Sequence, residues 1–166
     1  MNADDLRQIQ APLKQAYREK PDAALVTLRA EGRLGDGVSC SVQTARAMVA
    51  AGLHPATGGS GMQACSGDML LEALVACAGV TLNAVATAIG VNLRQAIVRA
   101  EGVLDFRGTL GVSKEVPVGF QTIRLYFELQ TDASDEQLNN LIRLTERYCV
   151  VLQTLAKPPH LEVKRT

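Results

Sequence analysis

The sequence predicts an α+β domain, and three observations carry that prediction. The stretch Met69 to Ile89 is apolar almost throughout and has the length of a helix. Thr122 to Thr131 alternates: Ile123, Leu125, Phe127 and Leu129 face one way, and Arg124, Tyr126, Glu128 and Gln130 the other. Ser134-Asp-Glu-Gln137 is the capping box that opens a helix. Strands, helix, strands, helix, with no repeats and no linkers, is the order of an α+β fold.

Residues 1–21 read as a helical extension and 22–166 as the domain proper, a length that supports one real core. In the extension, 3–19 form an amphipathic helix with Leu6, Ile9, Leu13, Ala16 and Tyr17 on one face, ended by Pro21. Two strands follow, 24–30 and 37–43, joined by a turn over the glycine-rich 32–37. Residues 52–61 are a loop by composition. Ser66 suits the N-cap of the long helix, Asp68 suits its first turn, and Gly90 stops it. Only Glu72 and Asn83 interrupt that helix, so it needs neighbours on every side, some of them from a second copy. Its length also matches a membrane span, but those two polar residues and the dilution by alanine, threonine and glycine favour a core helix.

A strand over 97–106 and a long connection over 107–117 come next. After the alternating strand, the capped helix runs unbroken to Pro158 and Pro159, with Leu138, Ile142, Thr145, Cys149 and Leu152 on one face. A short strand, 160–164, closes the chain.

Lys+Arg and Asp+Glu both number 17, so there is no basic footprint for nucleic acid. The first residues carry charges of both signs and no apolar run, unlike a secretory signal. With four cysteines, that predicts a reducing cytoplasm.

Cys77 and Cys149 each lie inside an apolar helical stretch, too far apart for a CxxC motif or a local zinc knuckle. If their helices pack together, the thiols meet and can cycle between dithiol and disulfide. Singly, each also fits an inert core position. The thiolate is the nucleophile, yet burial disfavours it. Cys77 sits too deep in its helix for the N-terminal dipole to help, so a cation from elsewhere is expected. Cys40 reads as a strand residue and Cys65 as a loop thiol or an alternative resolving thiol. His54, Cys65 and Cys77 match no zinc spacing. His160 is a surface residue, and Arg107, Lys114 and Glu115 form a solvated rim. Gly58-Gly-Ser-Gly61 lacks the Lys-Ser/Thr of a phosphate loop, and no Gly-x-Ser-x-Gly appears.

Taken together, Leu70-Leu-Glu-Ala-Leu-Val-Ala-Cys77, Glu146-Arg-Tyr-Cys-Val-Val151, Glu101-Gly-Val-Leu-Asp-Phe106 and Val116-Pro-Val-Gly-Phe120 resemble the OsmC/Ohr superfamily of osmotically inducible and organic hydroperoxide resistance proteins. The resemblance spans about residues 24–165. It implies antiparallel sheets wrapped around cysteine-bearing helices in an intertwined homodimer. It also implies a cytoplasmic thiol peroxidase for organic hydroperoxides, without metal, haem or flavin, and dependent on an external dithiol reductant. Under it Cys77 is peroxidatic and Cys149 resolving. Arg33, with Arg29 as runner-up, is the hairpin arginine beside the thiolate. Asp68, with Glu72 as competitor, is the carboxylate that holds it. The rival reading is a non-enzymatic dimer that binds a small ligand or senses redox state.

Overall fold

The computed structural model describes residues 48–111 and 113–165, the backbone of 31–34 and 39–43, and residues 2–5, 8, 11 and 19. Ten elements follow in order: β1 (Glu31–Leu34), β2 (Ser39–Gln43), β3 (Met48–Gly52), β4 (Ala64–Cys65), α1 (Ser66–Ile89), β5 (Gln95–Val103), α2 (Phe106–Thr109), β6 (Thr122–Gln130), α3 (Asp135–Tyr148) and α4 (Val150–Ala156). A single 3-10 turn, Pro55–Thr57, lies between β3 and β4. The chain divides into two compact units. Unit I holds Met1–Glu19, Ala73–Arg99 and Tyr126–Thr166; unit II holds Lys20–Glu72 and Ala100–Leu125.

Unit I is built on the second half of α1 and on α3. Leu74, Ala78, Leu82 and Ala86 recur every fourth residue and are buried, the spacing that lays one stripe along a helix. Leu82 and Ala86 join Val91 and Leu141 in the core, with Val98, Phe127 and Leu129 from the strands and Leu138 and Ile142 from α3 around them. This stripe makes α1 a core helix, although by length and composition it is apolar enough to cross a membrane. Its opposite face, Ala73, Ala76 and Val80, is exposed, Val80 by 73%.

Both ends of α1 are local chemistry. The helix begins at Ser66, so the expected N-cap falls one position inside it. It ends as expected at Gly90, whose φ of 76° is the left-handed conformation that only glycine adopts freely. The next N–H, of Val91, donates to the Ala86 carbonyl at 2.9 Å, and the Val91 side chain turns back into the core. The start of α3 also matches expectation: Ser134 and Gln137 form the reciprocal capping box.

In unit I the first and last parts of β5 and β6 meet at Arg94, whose N–H donates to the Gln130 carbonyl at 2.8 Å. Arg99 and Glu128 pair on their exposed face, as do Arg94 and Asp132. β6 alternates exposed and half-buried residues along its whole length, as read from the sequence.

Unit II carries a four-stranded sheet in the order β1-β2-β3-β4. β1, β2 and β3 are antiparallel neighbours, with Arg33 opposite Ser41 and Ser41 opposite Ala50. β4 joins β3 in parallel, Ala51 opposite Ala64, so this sheet is not purely antiparallel. The remaining parts of β5 and β6 close through the Gln121 N–H on the Val103 carbonyl at 2.8 Å.

Several expectations need correction. Residues 31–34 are strand where a turn was expected over 32–37. β3 was not foreseen, and β5 begins at Gln95 and ends at Val103 rather than covering 97–106. The connection after it holds a helical turn, α2, capped by Asp105. Residues 160–164 form no strand and are exposed. In the extension, residues 3–5, 8, 11 and 19 are helical, and Asn2 and Asp5 cap each other. Leu6, Ile9, Leu13, Ala16, Tyr17, Pro21, Arg29 and the proposed strand 24–30 lie outside the described residues, as does the side chain of Cys40.

Leu141, fully buried in the unit I core, is expected to cost about 2–5 kcal/mol of stability on truncation to alanine. Gly90→Ala is expected to cost about 1 kcal/mol through the left-handed backbone. Chemical denaturation of the two variants checks both values.

Candidate active site

The site begins where the last long helix fails. The sequence reads as one helix to Pro158, but Cys149 takes an extended backbone, φ −72° and ψ 106°, and splits it into α3 and α4. Val150 and Val151 follow at once, a β-branched pair that resists helical crowding. A break of this kind leaves carbonyls without partners at the end of α3 and N–H groups without partners at the start of α4.

Each side of the break is partly satisfied. The Cys149 N–H donates to the Thr145 carbonyl and the Gln153 N–H to the Cys149 carbonyl, both at 2.9 Å. The Gln153 side-chain amide donates to the Glu146 carbonyl at 2.8 Å. The first N–H groups of α4, those of Val150 and Val151, lie near enough to the Cys77 sulfur to favour its charged form. Unit I therefore brings Cys77 and Cys149 together, the two cysteines singled out in the sequence.

The two thiols are displaced in opposite directions. Burial works against a charged Cys77 sulfur, but the Val151 N–H, the Cys149 thiol, the Val150 N–H and the Thr81 hydroxyl together outweigh it. The Cys77 thiol is thus held below its ordinary value. Burial pushes the Cys149 thiol up, and the hydrogen bond and charge of Cys77 add to this; the N–H groups of Leu152 and Val151 offset it only in part. Of the pair, Cys77 is the thiol displaced toward ionisation and Cys149 the one displaced away from it. Cys149 is fully buried, Cys77 half-buried, and both are free.

The sequence argument that a cation must activate Cys77 overlooked this source of N–H groups, because it took α3 and α4 as continuous. It also passed over Thr81, one turn after Cys77 on the same helix. Thr87 and Thr145 return their hydroxyls to the carbonyls of Asn83 and Leu141, both at 2.8 Å, while Thr81 serves the sulfur. The signals were present as Val150-Val151 and as the Cys77–Thr81 spacing. The small residues around Cys77 behave unequally: Ala78 is fully buried, whereas a side chain at Gly79 would meet only Val98, at 3.9 Å.

Arg33 and Asp68 belong to unit II. Arg33 lies in β1 with its side chain outside the described residues, and Asp68 is exposed in the first turn of α1. Unit II has a cavity of its own, about 370 Å³, walled by Leu53, Leu104, Phe106 and Phe120. An adjoining hollow of about 310 Å³ reaches Asp68 and Leu71. His54 and Cys65 line both. The His54 ring stacks on Phe106 at 4.9 Å, and its Nδ1 accepts the Ala56 N–H at 3.0 Å. Among the described residues no group of three or more His, Cys, Asp or Glu side chains is arranged to hold a metal. Arg107 is tied to Asp105 at 2.5 Å, which holds the Asp105 carboxyl below the usual range.

The described residues thus form an α+β fold in which two free thiols, Cys77 and Cys149, stand together at one helix break. The family model of the OsmC-like protein matches residues 59–164, well over half of the chain, and the chain belongs to that family within the OsmC/Ohr superfamily. No curated protein matches it. Among solved structures, an OsmC-like protein from Mycoplasma pneumoniae is similar with a TM-score of 0.68 and 16% identity, over 80% of this chain and 89% of that one. An organic hydroperoxide resistance protein from Elizabethkingia anophelis gives 0.66 and 15%, over 81% and 91%. The organic hydroperoxide resistance protein OsmC from Legionella pneumophila gives 0.63 and 16%, over 81% and 92%. At such identities the likeness is one of fold.

Cys77 is expected to be alkylated at lower pH than Cys149, since its thiolate forms first. Thr81→Val, which keeps the shape and removes the donor, is expected to move the Cys77 profile to higher pH. Iodoacetamide labelling across pH, read peptide by peptide in the mass spectrometer, checks both.

Proposed function

We propose that the protein is a thiol-dependent peroxidase that reduces organic hydroperoxides to alcohols, with Cys77 attacking and Cys149 resolving. The observation that supports this best is the meeting of two free thiols with opposite displacements at the start of α4. The Cys77 thiolate attacks the terminal oxygen of the hydroperoxide. An S–O bond forms, the O–O bond breaks, and the alkoxide takes a proton to leave as the alcohol. Cys77 is left as sulfenic acid.

That step changes Cys149. The anion that kept its proton in place is gone, so the second thiol ionises more readily than before. Its thiolate attacks the Cys77 sulfur, the S–S bond forms, and hydroxide departs as water. Cysteines joined this way need Cα atoms within about 7 Å, and two thiols near enough to shift one another's ionisation suit that demand. An external dithiol then gives two electrons and two protons and becomes a disulfide itself. No metal, haem or flavin enters the scheme.

The organic substrate class is supported by the solved relatives named for hydroperoxide resistance and by the apolar run of α1 in which Cys77 lies. Arg33 and Asp68 are proposed as the arginine and carboxylate of the site, on the strength of their places in β1 and at the start of α1. A homodimer is supported by the apolar face of α1 at Ala73, Ala76 and Val80, which is exposed. A reducing cytoplasm suits the three described cysteines, all of them free. The second reading, a small-ligand-binding or redox-sensing dimer, draws its support from the apolar cavity of unit II.

Reduced protein mixed with one equivalent of cumene hydroperoxide is expected to consume it quickly and to form a Cys77–Cys149 disulfide, found by non-reducing peptide mapping. Cys77→Ser is expected to bring peroxide loss to background, and Cys149→Ser to let Cys77 oxidise on to sulfinic acid. Persistent peroxide with both thiols reduced would refute the peroxidase reading and favour the cavity. Val80→Glu is expected to shift the molecule from dimer to monomer in light scattering.

A further inference from the structure

We propose that Gln153 is a positioning residue of the thiol site: its amide clamps the helix break at Cys149 and so holds the first turn of α4 beside Cys77. The inference rests on Cys77 being the reacting thiol and adds the device that holds its donors in place.

The case is an accounting of backbone groups. Thr145 O and Cys149 O each accept from a backbone N–H four residues on, so neither bond spans the whole break. Gln153 does span it. Its N–H donates to the Cys149 carbonyl, closing the first turn of α4, and its Nε2 donates to the Glu146 carbonyl in the last turn of α3. One residue thus fastens α4 to α3 from both ends of its own structure. Among the described residues, no other side-chain hydrogen bond joins these two helices.

The clamp matters because of what α4 does with its first N–H groups. They favour the charged form of a sulfur on another helix, and an interaction of that kind weakens steeply with tilt. α4 is only seven residues long, Val150 is largely exposed, and no residue of α4 is fully buried. Packing alone therefore holds it weakly, and a short helix with few buried contacts is free to tilt. The spacing makes the function readable: four residues after Cys149 is one helical turn, which points the side chain back over the break. Gln153 supplies length and a donor together. A carboxylate in its place would repel the Glu146 carbonyl, and an aliphatic chain would leave that carbonyl empty.

The test is the pH profile of Cys77 alkylation by iodoacetamide in the full-length protein, which needs no peroxide. Gln153→Met keeps the bulk and removes the donor. It is expected to move the Cys77 profile to higher pH and to slow labelling at neutral pH roughly threefold to tenfold. Gln153→Lys, which restores a donor, is expected to keep the profile at or below that of the wild type. Thr154→Ala, the exposed neighbour, serves as the control. Should Gln153→Met fail to fold, Gln153→Asn, one methylene too short to reach, takes its place with the same expectation. A donorless variant with the wild-type midpoint, or one that loses only thermal stability, would overturn the proposal. Failure of the peroxidase reading looks different: a low Cys77 midpoint that Gln153→Met still raises, with no peroxide consumed.

Discussion

The break at Cys149 is the constraint on which the rest of the site depends. An unbroken helix would bury its N–H groups in its own ladder and offer none to a sulfur on α1. Interrupting it frees donors at one end and acceptors at the other, and each buried group left unpaired costs about 1–3 kcal/mol. Here the Thr145 and Glu146 carbonyls are met by the Cys149 N–H and the Gln153 amide, and the first donors of α4 lie by Cys77, whose charged form they favour. The break and the lowering of the Cys77 thiol are therefore linked. Cys149 takes part twice, as the residue whose backbone bends and as the thiol that faces Cys77.

The asymmetry between the sulfurs follows from their positions on that break. Cys77 stands near the new N-terminus, whose N–H groups favour its charge; Cys149 is the cap residue, makes no side-chain cap hydrogen bond, and gains only a partial offset from the Leu152 and Val151 N–H groups. Two ionisable groups this close do not titrate independently, so holding one as thiolate keeps the other protonated. Such a pair starts with one nucleophile and one reserve, an order that suits attack first and resolution second. Their accessibility agrees, since Cys77 is half-buried and Cys149 has no exposed surface.

The long helix α1 has two apolar faces with different fates. One stripe, Leu74 to Ala86 at intervals of four, supplies the core of unit I, and Cys77 lies at its border. The other, around Val80, is left to solvent in the single chain. An apolar face of that kind on the central helix is the physical ground for expecting a second copy. Unit II contributes a different asset, an apolar cavity faced by an imidazole and a thiol.

The sequence by itself determined the α+β class, the extent of α1 and its stop at Gly90, the alternating strand β6 and the capping box at Ser134. These rest on short-range physics: periodicity, a left-handed glycine and reciprocal capping within a few residues. It also singled out Cys77 and Cys149 by their matching contexts. Tertiary structure alone decided that the thiols meet and which of them is displaced toward ionisation, because the groups that act on Cys77 at Val150 and Val151 lie more than seventy positions away. The same holds for the break itself. A helical pattern continues through Cys149 with only the β-branched Val150-Val151 pair against it, and the extended backbone there is visible only in the structure. The strand limits near 31–34 and the irregular 160–164 were missed for a related reason: strand pairing is a long-range bond that composition only suggests.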